Sequence, residues 1–188
     1  NDLFDGKKGI KVIPCYYKKD YPEWNDRGEG PGAPVAIHLP QSPVIATGKR
    51  DGSKIRLPNG NYLEETASYY VMVESITGAY TPALINMKST QLNVSKKWNS
   101  MMKTIQIPDG KGGFAIPPMH GVVYNLTSTL QKNDKGSWFG WVVTKDRILE
   151  QKDKSLYLSA KDFQGNVSKG NVQTKADVEE KSSTATPY

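Results

Sequence analysis

Apolar and polar positions along the chain fall into short extended runs separated by glycine- and proline-rich breaks. Residues 10–21, IKVIPCYYKKDY, place Ile10, Val12 and Ile13 beside strand-favouring tyrosines and predict a strand. Pro14 lacks the N–H that a central ladder position uses, so an edge or a bulge is expected there. PEWNDRGEGPGAP (22–34) is dense in turn formers and reads as a loop that carries Trp24 and Arg27. KIRLPNGNYL (54–63) sets an Asn-Gly pair between two extended arms, the pattern of a tight hairpin. SYYVMVESI (68–76) and YTPALINM (80–87) predict two more strands, with Thr77-Gly78-Ala79 as the turn between them.

The period then changes. Val94, Trp98, Met101 and Ile105 recur at intervals of four, three and four, with Leu92 and Met102 flanking. That spacing predicts a helix over 89–106, capped by Ser89 or Thr90 and closed by Pro108. Trp98 lies on its apolar stripe, so it is expected to anchor the helix in the core. Lys96, Lys97 and Lys103 then form the outer side. IPDGKGGFAIPP (107–118) reads as a mobile loop, GVVYNLTST (121–129) as a strand, QKNDKG (131–136) as a turn and SWFGWVVTK (137–145) as a final strand. SLYLSAKDF (155–163) fits a second helix. From Gly170 on the chain is polar.

These runs amount to six or seven short strands and one or two helices. Strands follow one another through hairpin-like breaks instead of alternating with helices. The expected fold is mainly β, an OB-like small antiparallel barrel with an inserted helix. Residues 1–170 would make one such domain, and 171–188 a flexible polar tail.

Composition removes several kinds of chemistry. A single cysteine, Cys15, rules out an internal disulfide, and its place in a strand makes a buried thiol the ordinary expectation. Two histidines, His38 and His120, have no zinc-site spacing. GKGGF (110–114) lacks the Lys-Ser or Lys-Thr of a phosphate-binding loop, and GEGPG (28–32) is interrupted by proline. No carboxylate pair shares a predicted face. The expectation is a protein that is not an enzyme and needs no cofactor. No run reaches the length of a membrane-spanning helix, and the first residues lack the apolar core of a signal peptide, so no membrane partner is expected. The chain opens on Asn1, not Met, which leaves room for a preceding segment.

Charge points to a partner class. The 188 residues carry a formal net charge of +6. Between Ser75 and Lys132 the only acidic residue is Asp109, against Lys88, Lys96, Lys97, Lys103, Lys111 and Lys132. A basic middle third attracts polyanions, although a solvated lysine face is equally common. Aromatics interleave with these charges. Tyr16, Tyr17 and Tyr21 surround Lys18 and Lys19, Trp24 precedes Arg27, and Trp138, Phe139 and Trp141 follow Lys132 and Lys135. Cations that neutralise phosphates, beside rings that stack on bases, are what a single-strand binder uses. In SWFGWVV, parity puts Trp138 on one face and Phe139 with Trp141 on the other, and leaves open which is core.

Five segments carry a resemblance. KVIPCYYKKDYPEW, LPNGNYL, INMKSTQLNVSKKWNSMM, DGKGGFAIPP and NDKGSWFGW are similar, as an ordered set over residues 10–145, to a set of bacteriophage early proteins, some described as single-stranded DNA-binding proteins. The resemblance implies an OB-like fold and no cofactor. It also implies sequence-tolerant binding of single-stranded DNA during phage replication or recombination, in the cytoplasm of the infected host. Expected partners are the DNA, phage replication or recombination proteins and further copies on the strand. The candidate contacts are Tyr17, Lys18, Lys19, Trp24, Arg27, Lys96, Lys97, Lys103, Trp138 and Trp141. One departure is the ending EEKSSTATPY, which is not the acidic tail with which replicative binders often recruit partners. The competing expectations are a phage structural protein, such as a capsid decoration or assembly component, and a nucleic-acid enzyme, which would require a metal-binding carboxylate cluster.

Overall fold

The longest strand, β1 (Ile10–Trp24), organises the chain. A computed structural model describes residues 5–26, 32–134 and 136–172. On one side β1 pairs with β6 (Thr66–Glu74), which pairs in turn with β7 (Tyr80–Lys88). On the other it pairs with β10 (Val122–Asn133), which pairs with β11 (Gly136–Ile148). All four pairings are antiparallel. β1 is therefore a central strand, and Pro14 is not on an edge as one of its two expected placements had it. The other placement holds: the register to β6 shifts between Pro14 and Tyr16, a bulge, and the β10 ladder stops at Val12, before the proline.

The far end of β1 belongs to a second, smaller sheet. Tyr21–Glu23 pair with β2 (Ala36–His38), and Glu23 and Trp24 with β5 (Tyr62–Glu64). Beyond β5 come β4 (Lys54–Arg56) and β3 (Lys49–Asp51), with the short helix α1 (Pro43–Thr47) preceding β3. So 22–24 are strand, not loop: ladder partners distant in sequence outweigh local turn propensity. The Asn59-Gly60 turn forms, with Gly60 at φ 90°, but in a five-residue loop over 57–61. Glu23 knits the small sheet to the barrel. Its carboxylate accepts from Asn61 Nδ2 at 2.6 Å and Asn59 Nδ2 at 3.2 Å, and meets His38 Nε2 at 2.7 Å. These partners, Asn61 foremost, hold its pKa below the usual carboxylate range.

Helix α2 (Leu92–Thr104) follows a 3-10 turn at Ser89–Gln91. The expected Ser89 or Thr90 cap is not made; Lys88 and Gln91 hold the cap positions, without side-chain cap bonds. Ser89 instead turns the chain from β7 into the helix with φ 51°. α2 touches β6, β7 and β11. In a flat five-stranded sheet the outer strands would lie about 19 Å apart, at about 4.8 Å per strand. A helix about 10 Å across reaches both only if the sheet curls around it. The result is a half-barrel closed by α2: the mainly β, OB-like architecture with an inserted helix that the strand spacing predicts. At the β11 edge Gln91 Oε1 accepts the Trp141 N–H at 3.0 Å. A Cβ on Gly140 would stand 2.6 Å from Gln91 Nε2, so the bare backbone there admits the glutamine.

Inside the curl Trp98 is fully buried. It stacks on Tyr69 with centroids 4.4 Å apart and meets Tyr124 edge-on at 5.6 Å. Val12, Val71, Met87 and Leu126 complete this core. The opposite sheet face carries α3 (Lys154–Ser168), whose Leu156, Ala160 and Phe163 pack on Ile13, Cys15, Met72 and Val123. Cys15 is the buried thiol expected; burial pushes its pKa up to about 12, which removes thiolate chemistry. α3 is longer than 155–163, and a bidentate Arg147–Asp153 pair, at 2.7 and 3.1 Å, fixes its start. β10 and β11 likewise run into the 131–136 stretch expected as turn, because each supplies the other's ladder. Residues 35–53 show no sequence period; β2 and β3 exist through pairing with β1 and β4, and α1 through packing of Val44 and Ile45 on Ile55, Leu57 and Leu63. Most of the expected tail, 173–188, lies outside the described residues.

Truncating Trp98 to Ala should cost about 3–5 kcal/mol, the range for a large buried aromatic. Urea unfolding of the Trp98→Ala protein checks this; a loss under about 1 kcal/mol would remove Trp98 from the role of central anchor. His120 should make stability pH-dependent. It is buried, 5.0 Å from the Tyr157 ring, and burial with the nearby Lys161 ammonium lowers its pKa. The unfolded chain therefore takes up a proton near pH 6.5 that the folded one resists. The contribution is complete above about pH 6.5 and lost as pH falls from there toward the depressed folded value. His120→Gln should flatten the denaturation midpoint between about pH 7.5 and 5; equal slopes in both proteins would exclude the effect.

Candidate nucleic-acid interface

The inner stripe of α2 is consumed by the core, and this decides what its outer side displays. Lys96, Lys97 and Lys103 are exposed, and none has a carboxylate partner among the described residues. Lys96 and Lys103 lie two turns apart, about 10 Å along the axis, on one stripe.

Lys103 also lines a cleft of about 490 Å³ on this side of the barrel. Tyr17 of β1 contributes an aromatic wall, Asn99 and Met102 come from α2, and Ile116 and Met119 close the other side. Tyr17 is half-buried, 5.0 Å from Tyr69, so the cleft stands directly on the aromatic core. The structure thus brings two of the expected contacts, Tyr17 and Lys103, together at the cleft; Lys96 shares the Lys103 stripe of α2, while Lys97 lies about 100° further round the helix.

The other candidates are placed differently. Lys18 pairs with Asp20 at 3.1 Å and Lys19 with Glu65 at 2.6 Å. The hydrogen bond that Lys19 donates to Glu65, foremost, raises the Lys19 pKa. A phosphate would have to compete with those carboxylates for both lysines. Trp24 ends β1, with Lys88 Nζ 5.8 Å from its ring, and Lys88 in turn pairs with Glu64 at 3.0 Å. Trp138 lines a second cleft of about 360 Å³ with Ser89, Thr90, Asn133 and Ser137. Trp24 and Trp138 therefore both flank the junction of β7 with α2. Trp141 is half-buried against the core, and with Val143 it settles the parity left open in SWFGWVV. Its face-mate Phe139 lies nearer the hairpin end and is exposed. Arg27 lies outside the described residues.

The 107–118 segment, expected as a mobile loop, is instead ordered: β8 (Ile107–Pro108) and β9 (Phe114–Ala115) form a small hairpin. Asp109 organises its turn: Oδ1 accepts the N–H groups of Lys111 at 2.8 Å and Gly113 at 2.9 Å. These bonds lower the Asp109 pKa. Gly110 and Gly112 take φ of 73° and 88°, which glycine alone adopts without strain. An Asp followed by alternating glycines is the signal that could have marked an ordered turn.

Among the described residues no three His, Cys, Asp or Glu side chains are grouped to hold a metal ion, and no helix is long and apolar enough to cross a membrane. No curated protein and no solved structure matches the chain. A family model does, over residues 1–173: that of the Pam3 phage gp34-like protein. The likeness to phage proteins read from the five segments is therefore met at the level of a phage family, and that match carries no statement about DNA. The chain belongs to the Pam3 phage gp34-like protein family.

Proposed function

We propose that this phage protein binds single-stranded DNA with little sequence preference, and that it acts by binding, not by catalysis, during phage DNA replication or recombination. The observation that carries the reading is the α2 outer face. Its three lysines have no carboxylate partner among the described residues, and one of them, Lys103, lines a cleft with an aromatic wall. Such lysines attract phosphates with the counterion release that drives binding, and an aromatic-walled cleft accepts unstacked bases. The reading places the protein in the cytoplasm of the infected cell, beside replication or recombination proteins, with further copies along the strand.

A second reading, a virion assembly component, draws support from one feature. Leu130 and Phe139 face each other across β10 and β11 and are 64% and 71% exposed. Such a cross-strand apolar pair suits a protein interface.

Titration with oligo-dT and with duplex of equal length, at two salt concentrations, separates these readings. The single strand should bind more tightly and lose affinity as salt rises. Replacing Lys96, Lys97 and Lys103 together by Ala should weaken binding at least tenfold at low salt. It should also make the log–log salt slope shallower by about 2, given about 0.7 per phosphate contact on a single strand. Unchanged affinity and slope would show that the α2 face is not the contact surface. No affinity at low salt, together with recovery of the protein in purified virions, would favour the second reading.

A further inference from the structure

The β8–β9 hairpin presents an exposed aromatic on an ordered support. Its turn is closed twice, by Asp109 N–H donating to the Gly113 carbonyl at 3.1 Å and by the Asp109 carboxylate on Lys111 and Gly113. Ordering a glycine-rich turn costs conformational entropy. Burial does not repay it here, since Phe114 is 70% and Ile116 59% exposed. On an extended segment these two residues project to the same side. Ile116 lines the cleft, and Phe114 stands on the same side of the segment two residues before it.

Charge selects the occupant. Asp109 is the only acid between Ser75 and Lys132, and its carboxylate is already engaged by backbone donors. Lys103 stands on the cleft, and Lys111 is exposed on the hairpin turn. The site therefore has apolar walls at Met102, Ile116 and Met119, an aromatic at Tyr17, an amide at Asn99 and a cationic border. A nucleobase of a single strand matches it: flat apolar faces, a polar edge and a phosphate on either side.

We propose that the cleft between α2 and the β8–β9 hairpin seats an unstacked base, with Phe114 as the stacking plate and Lys111 and Lys103 on the flanking phosphates. This rests on the single-strand reading above. It assigns the stacking to a phenylalanine outside the tryptophan set that composition singles out.

Phe114→Ala should lower affinity for oligo-dT by about 5- to 150-fold, which is 1–3 kcal/mol per stacked base converted at tenfold per 1.4 kcal/mol. The salt slope should stay unchanged, because no charge is lost. Phe114→Trp should restore affinity, and its added fluorescence should be quenched by the strand. An independent check is ultraviolet cross-linking of the unaltered protein to a 5-bromouracil oligonucleotide, where the cross-link should map to the cleft and hairpin, at Tyr17 or within residues 99–103 or 111–119. Oligo-dT binding that persists unchanged in Phe114→Ala, or cross-links confined to other segments, overturns this site while leaving single-strand binding in place. Absence of oligo-dT binding by the unaltered protein overturns both.

Discussion

Closure of the half-barrel by one helix is the constraint from which the other features follow. A sheet of five antiparallel strands with a buried concave face must either meet its own edge or be filled. Here α2 fills it, and the indole of Trp98 sits between the rings of Tyr69 and Tyr124, on strands either side of β1. Tyr69 is itself tethered to the helix, its hydroxyl donating to the Ser95 carbonyl at 3.1 Å and meeting Ser95 Oγ at 2.7 Å. Stacking, burial and this hydrogen-bond pair set the rotation of α2 about its axis. Gln91 sets its position at the open edge through the Trp141 N–H.

The displayed chemistry is a consequence of that rotation. With Val94, Trp98, Met101 and Ile105 turned inward, Lys96, Lys97 and Lys103 have nowhere to go but solvent. The same geometry brings the last turn of α2 beside Tyr17, which leans on the Tyr69 ring. The cleft therefore inherits the rigidity of the core. Lysines at the ends of β1 and β7 meet a different fate: Glu65 and Glu64, from the segment joining the small sheet to the barrel, pair with Lys19 and Lys88. Equal residue types end up with unequal availability because one set faces a carboxylate and the other, among the described residues, does not.

Much was legible in the residue order. The helical stripe at 94–105, the strands at 68–76 and 80–87, the bulge at Pro14 and the mainly β class all follow from periods of two and 3.6 and from the special backbone of proline and glycine. The burial of Trp98 and Cys15 follows from the same patterns. Local signals failed where partners are far away. Pro22 and Glu23 lie within a turn-rich stretch, yet they are strand because Ile37 and Ala36 stand opposite them. The hairpin at 131–136 shortens because its two arms keep pairing. The ordered turn at 109–113 rests on one carboxylate, a cue too short to outweigh four nearby glycines and prolines.

What the sequence determined by itself is therefore the long strands and the two long helices, the inward face of the first of those helices and a cationic, aromatic-rich middle third. Those depend on neighbours within a few residues, where side-chain direction is dictated by backbone geometry. Only the tertiary structure decided which lysines lack a carboxylate partner among the described residues, that Trp141 and not Trp138 packs on the core, and that Phe114 is left uncovered on an ordered hairpin. Pairing across 24 residues between Glu64 and Lys88, or across 50 between Gln91 and Trp141, depends on how the sheet curls. That curl is set by the packing of all five strands against one helix, a property that no single stretch of the chain contains.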